Sequence, residues 1–171
     1  VIFESKDFKA LVRNDRRTQL VCIAGELSQA ELDYIAHGEE QELHLRYLTK
    51  QRTPWYSTEK MSVAPIWAAV FGRERIRFVA NEAEVNNLTT FHGIYPTNTD
   101  RCFVRAMTAC LNSEIVQELM KVHLRVYGGG LNKFEPRDLL DVWLPDLRKA
   151  KADTLNLLSD LLGELNKSAG E

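Results

Sequence analysis

Two β-prone runs near the start of the chain, Phe8-Lys9-Ala10-Leu11-Val12-Arg13 and Thr18-Gln19-Leu20-Val21-Cys22-Ile23-Ala24, flank the polar break Asn14-Asp15-Arg16-Arg17 and predict a hairpin within residues 1–25. Ser28 followed three residues later by Glu31 is a capping box, in which each side chain satisfies an orphan backbone N–H. It predicts a short helix carrying Leu32, Ile35 and Ala36 on one face. From Val63 to Phe71 the residues are apolar apart from Pro65, and Gly72-Arg73-Glu74 separates this run from Arg75-Ile76-Arg77-Phe78-Val79-Ala80. A second hairpin follows. Strand side chains alternate between faces, so Ile76, Phe78 and Ala80 point to one side and Arg75, Arg77 and Val79 to the other, giving a core face and a cationic face.

Downstream the period changes to that of helices. Phe103 to Leu111 has helical spacing, and Asn112-Ser113 caps a further helix bearing Ile115, Val116, Leu119, Met120, Val122 and Leu124, with Gly128-Gly129-Gly130 as its stop. Pro136 opens a short helical turn that ends before Pro145. Leu155, Leu158, Leu162 and Leu165 recur at spacings of three, four and three, the rhythm of a helix seeking a partner, either its own domain or a second copy. The order of strands, helix, strands, then helices predicts an α+β fold, an antiparallel or mixed sheet with flanking helices and a C-terminal amphipathic helix. One domain over residues 1–147 and a helical segment over 148–171 is the expected division, since 171 residues, 44% hydrophobic, bury one substantial core.

Net charge alters this picture only when taken by segment. The total is −2, which offers no global attraction to phosphates or anionic lipid. Residues 26–43 hold six acidic groups and no Lys or Arg, whereas residues 44–105 hold nine basic groups against five acidic ones. That positive stretch also contains Trp55, Tyr56, Asn86, Thr89, Thr90 and His92. Arginine reads guanine edges, asparagine reads adenine, threonine contacts either, and all of them can hold phosphate oxygens. A cationic strand face is equally what a solvated sheet surface needs, and both readings stand on composition alone.

Catalytic chemistry is not legible. The five prolines are never adjacent, so no Asn/Asp-Pro-Pro-Tyr/Phe motif is present, and Gly128-Gly129-Gly130 lacks the spacing of a dinucleotide-binding turn. The four histidines show no zinc-ligand spacing, and Cys22, Cys102 and Cys110 form no CxxC pair, which suits buried thiols in a reducing cytoplasm. No apolar run is long enough to span a bilayer. Val1-Ile2-Phe3-Glu4-Ser5 has neither an initiator Met nor the plan of a signal peptide, so a segment of a longer protein is expected.

Tyr34-Ile35, Gly38-Glu39, Arg46-Tyr47, Arg52-Thr53-Pro54-Trp55-Tyr56, Pro65-Ile66, Phe71-Gly72-Arg73 and Arg77-Phe78-Val79-Ala80-Asn81 occur in that order. They continue in Asn87-Leu88-Thr89-Thr90-Phe91-His92-Gly93-Ile94-Tyr95-Pro96, Leu111-Asn112-Ser113, Gly130-Leu131-Asn132-Lys133-Phe134-Glu135-Pro136 and Leu144-Pro145-Asp146-Leu147. This succession resembles the C-terminal specificity region of gamma-type adenine-N6 DNA methyltransferases of restriction-modification systems. The Leu-Asn-Ser step and the late Leu-Pro are shared with type I specificity subunits. The resemblance implies a target-recognition domain that binds double-stranded DNA, beside an N-terminal catalytic domain holding S-adenosylmethionine, with no catalytic or cofactor residue in this chain. It implies DNA contacts from Arg52, Lys60, Arg73, Arg75, Arg77, Asn86, Thr89, Thr90 and His92, with Trp55 and Tyr56 stacking on DNA or closing a core. Arg77 and Asn86 are equally suited to holding the sheet together. The rival class is a protein-interaction module that uses the acidic 26–43 segment and the C-terminal helix, which also suits self-association.

Overall fold

The computed structural model describes residues 1–23, 25–59 and 61–168. Among them the chain forms, in order, β1 (Ile2–Phe3), α1 (Ser5–Arg13), α2 (Gln29–Glu40), β2 (Ile66–Ala69), β3 (Phe71–Gly72), β4 (Phe78–Asn81), β5 (Phe91–Ile94), α3 (Arg101–Asn112), α4 (Glu114–Lys121), β6 (Arg125–Tyr127), β7 (Leu131–Lys133), α5 (Pro136–Leu140) and α6 (Ala152–Ser168). The fold is α+β, as the pattern predicts. Contacts divide it into two compact units, Val1–Arg16 with Ser62–Glu171, and Arg17–Met61. The sequence pattern marks no boundary at either end of the second unit.

The larger unit holds two sheets. The first has strand order β1-β4-β2-β5, with β1 parallel to β4 and the other pairs antiparallel. The second is antiparallel in the order β3-β7-β6. The predicted second hairpin is the β2–β4 pair, in register at Ile66↔Ala80, Trp67↔Val79 and Ala68↔Phe78. Ile76, Phe78 and Ala80 are each 0% exposed while Arg75 and Arg77 are exposed, so the alternation read from sequence holds. The core gathers Ile66, Ala68, Phe78 and Ala80 from the sheet with Val104 and Leu111 of α3, Val116 and Met120 of α4, and Leu162 of α6.

Asp100 caps α3 by accepting from the amides of Cys102 and Phe103, and Ser113 caps α4 by accepting from Val116. Pro136 occupies the first turn of α5, where its missing N–H is no loss. Helix α6 packs along α3. Of its leucine stripe, Leu162 is fully buried, Leu155 and Leu158 are half-buried, and Leu165 is exposed.

Two sequence expectations are corrected. Among the described residues, 1–25 form no hairpin: Ser5–Arg13 is a helix, and Thr18–Ile23 has no regular structure. Ala24, the end of the predicted second strand, lies outside the described residues. Phe8, Leu11 and Val12 stand at i, i+3 and i+4, a helical period that a short β-prone run conceals. Asp7 decides the matter, since its carboxylate accepts the Glu4 amide at 2.8 Å and completes a helix start. The second correction is the glycine cluster. Helix α4 ends at Lys121, and Gly128-Gly129-Gly130 is the turn of the β6–β7 hairpin, with positive φ at Gly129 (76°) and Gly130 (72°). Only glycine adopts that conformation freely.

In the smaller unit Ser28 and Glu31 form the predicted capping box of α2, with the Ser28 amide donating to Glu31 at 2.8 Å. Ile35 and Gly38 are buried, whereas Leu32 and Ala36 are exposed.

Candidate nucleic-acid interface

Two carboxamides hold the cationic segment of the larger unit in place. On the side of β4 away from β2, strand β1 reaches only Ala80 and Asn81, leaving the backbones of Ile76 and Phe78 without a strand partner. Gln117 fills the first gap, accepting from the Ile76 amide at 2.9 Å and donating to the Ile76 carbonyl at 2.9 Å and the Leu111 carbonyl at 2.8 Å. Asn112 fills the second, accepting from the Phe78 amide at 3.1 Å and donating to its carbonyl at 2.9 Å. Each side chain reproduces the donor and acceptor of a missing strand residue. The Leu111-Asn112-Ser113 step thus has a structural meaning: a core leucine, a sheet clamp and a helix cap. Sequence reading missed the clamps, because nothing local marks a helical amide as the partner of a strand.

Gly72 closes the turn that carries the arginines. A Cβ there would lie 2.2 Å from the Arg75 carbonyl oxygen, so any side chain would force Arg73–Arg75 outward. The Arg73 carbonyl accepts from the Asn132 side chain at 2.6 Å, tying the turn to β7. Val70 is the junction of three segments. Its amide donates to the Thr90 carbonyl at 3.0 Å, and its carbonyl accepts from the Phe134 amide at 2.8 Å. Thr89 and Thr90, the Arg73–Arg77 segment and the β6–β7 hairpin therefore all leave the same end of this unit. Among the described residues, Arg73, Arg75 and Arg77 have no ion-pair partner and are exposed, as are Asn86, Thr89 and Thr90. Neighbouring Asn87 is structural, donating to the Phe91 carbonyl at 2.8 Å.

His92 is placed differently. It sits on β5 opposite Ala68, half-buried with its ring 6.2 Å from that of Phe134, and its Nε2 is buried without a hydrogen-bond partner among the described residues. Its position is that of a packing residue at the edge of the core. The opposite face of the sheet carries an aromatic row, Phe3, Trp67 and Phe91, with ring centroids 5.5 and 5.7 Å apart. Two arginines of the positive stretch share one counter-charge: Arg101 and Arg105, one helical turn apart on α3, both bind Glu82. Burial pushes the Glu82 carboxyl up, but the hydrogen bonds and charges of Arg105 and Arg101 outweigh it and hold it below the usual carboxylate range.

The remaining candidates lie in the smaller unit. Arg52 donates to the Ser57 carbonyl at 3.0 Å and lies 3.9 Å from the Glu59 carboxylate, with its side chain 39% exposed. Trp55 lies so close over Gly38 that a Cβ there would be 2.5 Å from the indole, and its N–H donates to Glu39 at 3.1 Å. Tyr56 meets Trp55 edge to face at 5.8 Å, so both aromatics serve a small local core. Lys60 lies outside the described residues.

The family model for the C-terminal domain of Type II methyltransferase M.Eco57I matches residues 1–168. The chain belongs to this family. Among curated proteins it is 35% identical to Type II methyltransferase M.AccI of Acinetobacter calcoaceticus over 165 residues, 92% of this chain and 30% of that protein. It is 27% identical to Type II methyltransferase M.XamI of Xanthomonas campestris pv. amaranthicola over 146 residues, 85% of this chain and 25% of that one. The chain thus spans under a third of the length of either relative. No solved structure matches it. Among the described residues no helix is long and apolar enough to cross a membrane.

Proposed function

We propose that this member of the M.Eco57I C-terminal family is the DNA target-recognition domain of a site-specific adenine-N6 methyltransferase. The observation that carries the reading is the cationic end built around Val70. Segments 71–77 and 125–135, joined by the β3–β7 pairing, together hold five basic and two acidic residues in a chain of net charge −2. Such a patch attracts a polyanion against the charge of the whole. Arg73, Arg75 and Arg77 would position the duplex on its phosphates, and Asn86, Thr89 and Thr90 would reach base edges. Arg52 and Lys60 are further candidates for phosphate contact. The target adenine would be flipped toward S-adenosylmethionine held by an N-terminal catalytic domain of the same protein, which supplies the methyl group. The isolated chain is then expected to bind neither that cofactor nor a methyl acceptor productively.

The test is a duplex titration with the full-length protein at low and high salt. Phosphate contacts make log Kd rise linearly with log salt, by about 0.9 per contact. Absence of duplex binding, or an affinity indifferent to salt, removes the reading. A second reading has its own observation: Leu157, Leu161 and Leu165 of α6 are 60%, 47% and 45% exposed, a face suited to another polypeptide, whether a catalytic domain, a separate subunit or a second copy. A type I-like specificity subunit would share the DNA contacts but lack an Asn/Asp-Pro-Pro-Tyr/Phe motif anywhere in its full sequence.

A further inference from the structure

The β6–β7 hairpin has no role in the sheet that forms the core, yet three features make it more than a connection. It is slender and open. Strand β3 pairs with β7 only at Lys133 and Asn132, so Tyr127, the three glycines and Leu131 extend beyond it, and a Cβ at Gly128, Gly129 or Gly130 would meet nothing within 4 Å. It is anchored at the base. Phe134, 1% exposed, stands edge to face against Phe78 at 5.9 Å, and Asn132 binds the Arg73 carbonyl. It is cationic on one face. Arg125 and Lys133 are cross-strand partners, and the Lys133 ammonium lies 6.0 Å from the Tyr127 ring centroid. Glu135 contacts both cations, Lys133 at 3.0 Å and Arg125 at 3.2 Å. It sets their spacing, and one carboxylate between two cations leaves a net positive charge.

We propose that this hairpin enters the major groove of duplex DNA tip first, with Tyr127 and the Gly128–Gly130 turn against base edges and Arg125 and Lys133 on the flanking phosphates. The proposal rests on the DNA-recognition reading above and adds a groove-entering element to it. Dimensions support it. Two strands about 4.8 Å apart, carrying side chains, and a projection of roughly 8 to 10 Å beyond β3 fit a groove about 12 Å wide and 8.5 Å deep, which admits a two-stranded ribbon. Val126, 73% exposed, and Tyr127, 48% exposed, are costly to leave in water on a free loop, and base edges and thymine methyl groups offer both a partner. The glycine turn lets the backbone approach closely where a side chain would stand in the way.

The experiment uses the full-length protein and a labelled random-sequence duplex, titrated by fluorescence anisotropy at about 50 and about 200 mM salt. Three variants are compared: Arg125→Ala with Lys133→Ala, Gly128→Glu, and the charge-matched control Lys149→Ala with Lys151→Ala. Position 128 has open space and no positive φ, so the glutamate tests the tip without straining the fold, and unchanged melting verifies this. The double variant is expected to bind at least about tenfold more weakly at the lower salt, with a salt slope shallower by about 2. Gly128→Glu is expected to lose a similar factor, and the control to stay within about twofold. Wild-type binding by both hairpin variants, or an equal loss in the control, overturns the hairpin proposal and leaves the DNA reading standing. If the wild-type protein fails to bind duplex, both fall together.

Discussion

Replacing Gln117 with Met tests whether a side-chain amide truly stands in for a strand. Methionine keeps the length and flexibility of glutamine and deletes only its polar atoms. Gln117 is 5% exposed and makes three hydrogen bonds, two to Ile76 and one to Leu111, so the variant strands the Ile76 amide and carbonyl and weakens the end of α3. A stranded buried polar group costs about 1 to 3 kcal/mol. Two such groups, offset in part by the apolar burial that Met gains, predict a loss of about 2 to 5 kcal/mol. For a chain of this size each kcal/mol lowers Tm by about 2 to 4 °C, so Tm should fall by roughly 5 to 15 °C. Urea unfolding should show a lower midpoint at an unchanged slope. Because Ile76 lies between Arg75 and Arg77, hydrogen exchange at its amide should accelerate as well. A variant within about 0.5 kcal/mol of wild type would mean that water or a shifted backbone satisfies these groups, and that the clamp is ornamental.

Changing Arg75 and Arg77 together to Ala should leave melting unchanged, because both are exposed, and flatten the salt dependence of duplex binding by up to about 2 in slope if both touch phosphate; wild-type affinity and slope would return them to plain solubilisation. Glu82→Gln should destabilise by about 1 to 3 kcal/mol at neutral pH. Its folded pKa is depressed, so the stability it contributes is present above the ordinary value of about 4.3 and lost as pH falls through the lower folded value, and the gap between variant and wild type should narrow as pH falls below that ordinary value. A gap that shows no narrowing as acid titrates the wild-type carboxylate would argue against the ion pairs as its source. Leu162→Ala should cost about 2 to 5 kcal/mol, since this side chain is fully buried where α6 meets α3, and a loss under about 1 kcal/mol would show that the helix contributes little to the fold.

What could be read in advance was whatever had a local signature. Alternation placed Ile76, Phe78 and Ala80 inside and Arg75 and Arg77 outside, and the short-range hydrogen bonds of Ser28 with Glu31, and of Ser113 with Val116, marked helix starts. The error at residues 5–13 was also local in origin. Phe8, Leu11 and Val12 fit either period over so short a run, and the arbiter was Asp7 bonding to the Glu4 amide, a weaker signal than the Ser-x-x-Glu box. The glycine cluster misled for a different reason: helix α4 does stop, but seven residues before Gly128, and a three-residue strand has too little alternation to announce itself. The clamps from Asn112 and Gln117 to β4 join residues 34 and 41 positions apart, and no periodicity spans that distance.

The same limit governs the candidate site. Counted along the chain, charge picks out residues 44–105 as positive and leaves 106–171 with a net of −2, which hides Arg125 and Lys133 inside an acidic segment. Folding reverses both halves of that account. Arg101 and Arg105 are drawn onto Glu82, while pairing of Phe71 with Lys133 carries the second basic cluster to the end of the unit that presents Arg73, Arg75 and Arg77. A polyanion responds to charge within a Debye length, about 8 to 10 Å at physiological salt, and is blind to sequence separation. The cations able to act together on one polyanion are therefore those that β3 and β7 bring to a common edge, and the junction at Val70, an apolar residue, does more to assemble them than any charged neighbour.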